Sequence, residues 1–216
     1  MTITHHPPEA LLAGFATGAL DEAERLVVGV HISACPRCSR FVQAIEQLAG
    51  KSLEEAPPTA MSAGALDLVM SGIHGPRPAG TVRLEAGRAT LGGQDLPELL
   101  RSCRFGKRRL VAPGISMQPI TLSGSAGSRA FLLQSAPGTR MLEHTHTGTE
   151  LTCVLKGSFS HDGGYYGPGD FDYGDNEVDH RPVVGAEEPC LCLVAMTGNL
   201  RMNGLLGRLI GPFVRL

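Results

Sequence analysis

Apolar positions follow two different periods along the chain, and the change falls near residue 75. In the first third they recur every three or four positions, the spacing of one helical face. Leu11, Leu12 and Phe15 predict a helix over Glu9–Thr17, ended by Gly18. Asp21 followed by Glu24 has capping-box spacing, and the helix behind it carries Leu26, Val27 and Val30 on one face. Pro36 suits a first helical position. It predicts a third helix bearing Phe41, Val42, Ile45 and Leu48, with Gly50 near its end. Residues 54–58 break the pattern. A fourth helix, about 63–73, carries Leu66, Val69, Met70 and Ile73 at i, i+3, i+4 and i+7.

Gly75 to Gly80, Gly-Pro-Arg-Pro-Ala-Gly, has linker chemistry, and no firm period follows it up to residue 93. A helix is expected within 95–102. Short β-like runs then alternate with turns: 109–111, 117–122, 129–134, 151–155, 170–173, 178–184 and 190–196. Regular short strands between Gly and Pro turns point to an antiparallel sandwich or barrel. The expected fold is therefore α + β with two domains. A small four-helix domain spans 1–75, a linker 76–94, and an antiparallel β-barrel or sandwich 95–216.

Composition narrows the function. With 216 residues, one or two domains fit. A net charge of −2 from 19 basic and 21 acidic residues argues against direct nucleic-acid binding through phosphate neutralisation. Gly and Pro, at 28 and 15, make up about a fifth of the chain and exclude a long all-helical protein. No apolar run approaches a membrane span, and the N-terminus lacks the basic flank and apolar stretch of a secretory signal. A cytoplasmic location is expected. There, six cysteines read as metal ligands, redox groups or core fillers rather than structural disulfides.

His31, Cys35 and Cys38 place three zinc-type ligands within eight residues. The two cysteines flank the start of the third helix, and His31 falls in the last turn of the second. An ion held here would clamp the two helices at their junction. His5 and His6 are the nearest further nitrogen donors; either ring could reach, and His6 is preferred. A reduced thiol pair beside a core histidine is the competing reading. A redox motif lacks its βαβ surroundings, and a DNA-reading finger lacks a downstream His pair.

A second set lies in the β region. His144 and His146, two apart on a strand, face one side. A turn at Gly148 brings Glu150 back toward that side, and His180 offers a fourth ligand from a later strand. Three imidazoles and a carboxylate suit zinc, iron, manganese, nickel or copper; a divalent metal, zinc first, is expected.

From Gly138 to Gly157 the spacing Gly-x5-His-x-His-x3-Glu-x6-Gly matches the first cupin motif at every position. Tyr166-Gly-Pro168-Gly-Asp170 followed by His180 resembles the second motif, without its usual Pro-x-Gly spacing. In the N-terminal part, His-x3-Cys-x2-Cys with an upstream histidine resembles the zinc-binding anti-sigma domain; the four positions are His6, His31, Cys35 and Cys38. The two patterns in this order resemble the ChrR-type anti-sigma factors over nearly the whole chain. That resemblance implies a 1:1 complex with an extracytoplasmic-function (group IV, sigma-E-like) sigma factor, which is kept from core RNA polymerase. It also implies release on an oxidative signal, singlet oxygen, sensed through the cupin domain, with no direct nucleic-acid or membrane partner.

Within this reading the fourth helix is the expected partner-binding element, through Leu66, Val69, Met70 and Ile73 as a helix-in-groove face. Those residues equally suit completion of a four-helix core. Cys190 and Cys192 put two sulfurs on one face of a strand near Met196; they are redox candidates, with buried core thiols the plainer alternative. The rival class is a cupin metal enzyme, a dioxygenase or isomerase with a regulatory helical zinc domain. Glu143 and Tyr166 would be its candidate acid–base groups. A scaffold with a structural barrel metal is a third reading.

Overall fold

The computed structural model describes residues 2–75, 90–91, 94–124, 127–141, 144–162, 164–174, 181–198 and 200–202; for 90–91, 94–95, 144–146 and 200–202 it describes the backbone path alone. Four helices come first: α1 (Glu9–Thr17), α2 (Glu22–Ala34), α3 (Pro36–Glu54) and α4 (Ala65–His74). Gly18 takes the left-handed conformation (φ 74°) that ends α1. The Asp21 carboxylate accepts from the Glu24 N–H while the Glu24 carboxylate accepts from the Asp21 N–H, closing the capping box of α2. Pro36 opens α3, which runs through Gly50 and ends at Glu54.

A small hairpin, β1 (Thr90–Leu91) with β2 (Gln94–Asp95), precedes the short helix α5 (Glu98–Arg101). The strands that follow are β3 (Arg104–Phe105), β4 (Arg109–Ala112), β5 (Ile115–Thr121), β6 (Ser128–Ser135), β7 (His144–His146), β8 (Glu150–Lys156), β9 (Phe159–His161), β10 (Gly164–Tyr166), β11 (Phe171–Gly174), β12 (Val183–Val184), β13 (Cys190–Thr197) and β14 (Leu200–Met202). The main sheet is antiparallel in the order β11-β8-β13-β6-β5-β3, and β4 also pairs with β5. A smaller sheet, β10-β9-β12, and the pair β14-β7 complete the β domain.

Strand β13 explains how the layers stack. It pairs with β6 and β8 and is buried on both faces. Leu191, Leu193 and Ala195 pack with the buried side chains of α1 and α2, while Cys190, Cys192, Val194 and Met196 face a second core with Phe159, Tyr166 and Val184. Its continuous apolar run, CLCLVAM, is the mark of a strand covered on both sides. Helix α2 therefore lies on the outer face of the main sheet. Ala23, Val27, Val28, Val30 and His31 are all buried there. The helical segment and the main sheet share one core. At the other end of α2, the Glu22 carboxylate accepts from the Gly124 N–H at 2.6 Å.

The four-helix expectation narrows to three. Helices α1, α2 and α3 pack on one another, whereas α4 buries no side chain. Indeed no residue from 46 to 75 is buried. Leu48, expected on the packed face of α3, is exposed with Leu53 and Met61. The reason is reach: α3 keeps its neighbours only over its first turns, through Cys38 and Val42.

Candidate metal centre

The α2–α3 junction brings three ligands to one point. His31 occupies the last turn of α2 and is fully buried. Cys35, in extended backbone, ends α2 and precedes α3, and Cys38 sits in the first turn of α3. The fourth side chain is His6, delivered by the extended segment that precedes α1. One ligand atom from each of the four lies within 4.8 Å of all the others. His6 Nδ1 is 3.4 Å from the Cys35 sulfur and 3.5 Å from the Cys38 sulfur, and His31 Nε2 is 3.3 Å from the Cys38 sulfur. A tetrahedral zinc site has ligand–ligand edges of about 3.3–3.8 Å, worked from its usual bond lengths. The group fits a metal ion of that size, and it could hold one.

Electrostatics supports the same use. Burial pushes the His31 imidazole down to about 4, and burial with Arg37 lowers His6, so both rings are neutral near pH 7, as ligation needs. The Gly169 carbonyl, 2.8 Å from His31 Nδ1, can only accept, so Nδ1 carries the proton and Nε2 presents its lone pair. Burial and the adjacent Cys35 push the Cys38 thiol up to about 12. A pair of thiols held so close and so dry gains a stable thiolate form from a divalent cation.

His5, the other upstream donor, points elsewhere. Its ring packs at a tilt against Tyr166 with centroids 4.2 Å apart, and its backbone N–H donates to the Asp170 carboxylate at 2.9 Å.

The second ligand set is only partly in view. His144 and His146 alternate on β7, paired with Met202 and Leu200 of β14, so their positions share one face of the strand. Glu150 opens β8 and accepts from the Thr152 hydroxyl at 3.1 Å. Gly148, between them in sequence, permits a tight approach to the end of β13, since a Cβ there would sit 2.5 Å from the Thr197 hydroxyl. His180 and Glu143 lie outside the described residues. Tyr166 is buried against the rings of both Phe159 and His161, and burial with the Asp172 carboxylate raises its phenol. Cys190 and Cys192 face the inner core with their sulfurs 3.6 Å apart. Sequence reading placed Gly169 and Asp170 in the second-motif turn but gave them no part in the N-terminal ligand group, whose His31 lies 138 residues from Gly169, and it did not single out Leu68, on the opposite side of α4.

Fold and site together define a cupin-like β domain carrying an N-terminal His2Cys2 ligand group. The family model described as the ChrR cupin-like domain matches residues 108–199. The anti-sigma-E factor ChrR of Cereibacter sphaeroides is 35% identical over 222 aligned residues, covering all of both chains. The crystal structure of Rhodobacter sphaeroides SigE in complex with the anti-sigma ChrR matches with a TM-score of 0.72 and 32% identity, over 90% of this chain and 99% of that one. The chain belongs to the ChrR family of anti-sigma factors. Its curated relative is a regulator, not an enzyme. Among the described residues, no helix is long and apolar enough to cross a membrane.

Proposed function

We propose that this chain is a cytoplasmic anti-sigma factor that binds an extracytoplasmic-function sigma factor 1:1 and keeps it from core RNA polymerase. The observation that carries the reading is the state of α4. Leu66, Leu68, Val69, Met70 and Ile73 are all exposed, Leu66 at 69% and Leu68 at 77%. A ten-residue helix with no buried side chain has little to stabilise it alone, since isolated helices shorter than about 12–15 residues are marginal in water. A contiguous exposed apolar surface marks an interaction site. Leu66, Val69, Met70 and Ile73 share one face and Leu68 lies opposite, so the partner is expected to close around α4 from two sides.

In this reading His6, His31, Cys35 and Cys38 hold zinc, which fastens the N-terminal segment and the α2–α3 junction from which the exposed arm extends. His144, His146, Glu150 and His180 hold a second divalent metal, zinc first, in a cupin domain that senses an oxidative signal. Residues 1–75 form the inhibitory part, 76–94 the link and 95–216 the sensor. Co-expression with the sigma factor, followed by size-exclusion chromatography and single-round transcription, tests the proposal. A 1:1 complex that blocks transcription is expected. Separate elution at micromolar concentration, with transcription undiminished, refutes it.

A further inference from the structure

The turn Gly167-Pro168-Gly169-Asp170 belongs to the β domain, yet it touches the N-terminal ligand group at several points. Its geometry is that of a type II turn, with Pro in the second position and Gly169 in the third at φ 89°. The Asp170 N–H donates to the Gly167 carbonyl at 2.9 Å, and the Gly167 N–H donates to Asp170 Oδ2 at 2.8 Å. That leaves Asp170 Oδ1 facing outward. It accepts from the Thr4 N–H at 2.7 Å and the His5 N–H at 2.9 Å. His5 returns its carbonyl to the Phe171 N–H at 3.1 Å. Three hydrogen bonds thus fix the two residues before His6.

The same turn holds the second imidazole, because the Gly169 carbonyl accepts from His31 Nδ1. A Cβ on Gly169 would come within 2.7 Å of Ile3 Cδ1, so the N-terminal segment lies directly over the turn. Asp170 is buried. Burial alone would raise its carboxyl, but the N–H groups of Gly167, His5 and Thr4 outweigh that and hold it below the usual carboxylate range. The turn is itself tied to β8: Val154 N–H donates to the Asp170 carbonyl, and Gly169 N–H to the Val154 carbonyl. Glu150 lies on that same strand.

We propose that this turn is the outer layer of the N-terminal metal centre, with Asp170 and the Gly169 carbonyl positioning His6 and His31, so that the β domain sets how firmly the metal is held. Outer-layer partners of metal ligands typically change affinity 10–100-fold when removed. The inference rests on the zinc reading above, and the test separates the two.

The full chain is loaded with Co2+, and thiolate-to-cobalt charge transfer reports the N-terminal site. Its loss on adding excess chelator gives the release rate. Two variants are compared with the parent. Asp170→Asn disturbs both sides of the turn; Thr4→Pro deletes both Thr4 donors to Asp170, the N–H and the hydroxyl at 3.4 Å, and leaves the turn's own bonds intact. Near-UV circular dichroism follows the β-domain aromatics. Release at least about tenfold faster, with an unchanged near-UV spectrum, is expected. Should Asp170→Asn fail to fold, Thr4→Pro decides. Release within twofold of the parent overturns the proposal. So does faster release accompanied in Thr4→Pro by loss of the near-UV signal, which marks general unfolding. Absence of the charge-transfer band in the parent instead refutes the metal site itself.

Discussion

Changing Leu66 and Val69 of α4 to Asp separates partner binding from folding. Neither side chain is buried, at 69% and 55% exposed, so the free protein loses no packing. Surface changes of this kind usually stay within about 0.5 kcal/mol. Asp at position 66 also lies in the first turn of the helix, where a negative charge is favoured. In a complex the balance reverses. Covering a Leu or Val side chain is worth about 1.5–3 kcal/mol, and a desolvated carboxylate adds a penalty of its own. Two such changes cost at least about 4 kcal/mol, a loss of about a thousandfold in affinity. Isothermal titration calorimetry against the sigma factor measures the loss. Thermal melting and elemental analysis check that fold and metal content are kept. A Kd within threefold of the parent refutes the role given to α4. A melting temperature lowered by many degrees refutes the claim that this face is unpacked.

Elemental analysis should give two divalent ions per chain, falling to one in Cys35→Ala/Cys38→Ala; a single ion in the parent refutes the two-site reading. Leu193→Ala removes a fully buried side chain where β13 meets α2, and should cost about 2–5 kcal/mol. Because the core is shared, the helical and β signals should melt in one transition in this variant, and two separate transitions would count against it. Cys190→Ser/Cys192→Ser and, separately, His144→Ala should each blunt oxidant-driven release of the sigma factor in a promoter-reporter strain; full induction in both removes sensing from the β domain.

What the sequence made legible was local. Three ligands within eight residues announce themselves, because a helix end and a helix start place them together whatever the rest of the chain does. Donor chemistry alone did not decide between His5 and His6; the family resemblance pointed to His6, which the structure brings to the group. The choice is made by Asp170, a hundred and sixty-five residues from His5, which captures the His5 backbone and turns that ring away toward Tyr166. Strand β13 was readable from its uninterrupted apolar run. β7 was readable only through its two histidines; β9, β10 and β14 were not read as strands, since each is three residues long and carries too few positions for any period to show. The shared core did leave a trace. Val27, Val28 and Val30 of α2 cannot all lie on one helical face, and a helix apolar on several sides is buried on several sides.

That trace bears on how the molecule is divided. A segment of about fifty residues buries too little apolar surface to be comfortable alone, and small domains need a staple. Here the first three helices have two supports, the His2Cys2 group and the outer face of the main sheet, joined by the turn at Gly169 and Asp170. From residue 46 to 75 neither support reaches, and the apolar side chains of Leu48, Leu53, Met61 and α4 stand in solvent. Burial stops near residue 46, inside α3. The exposed arm is anchored through the first turns of α3, and those turns carry Cys38 beside Cys35. Among the described residues, the α2–α3 junction is thus one place where the packing of the β domain meets the base of the arm, and α1, packed on both α2 and α3, is the other.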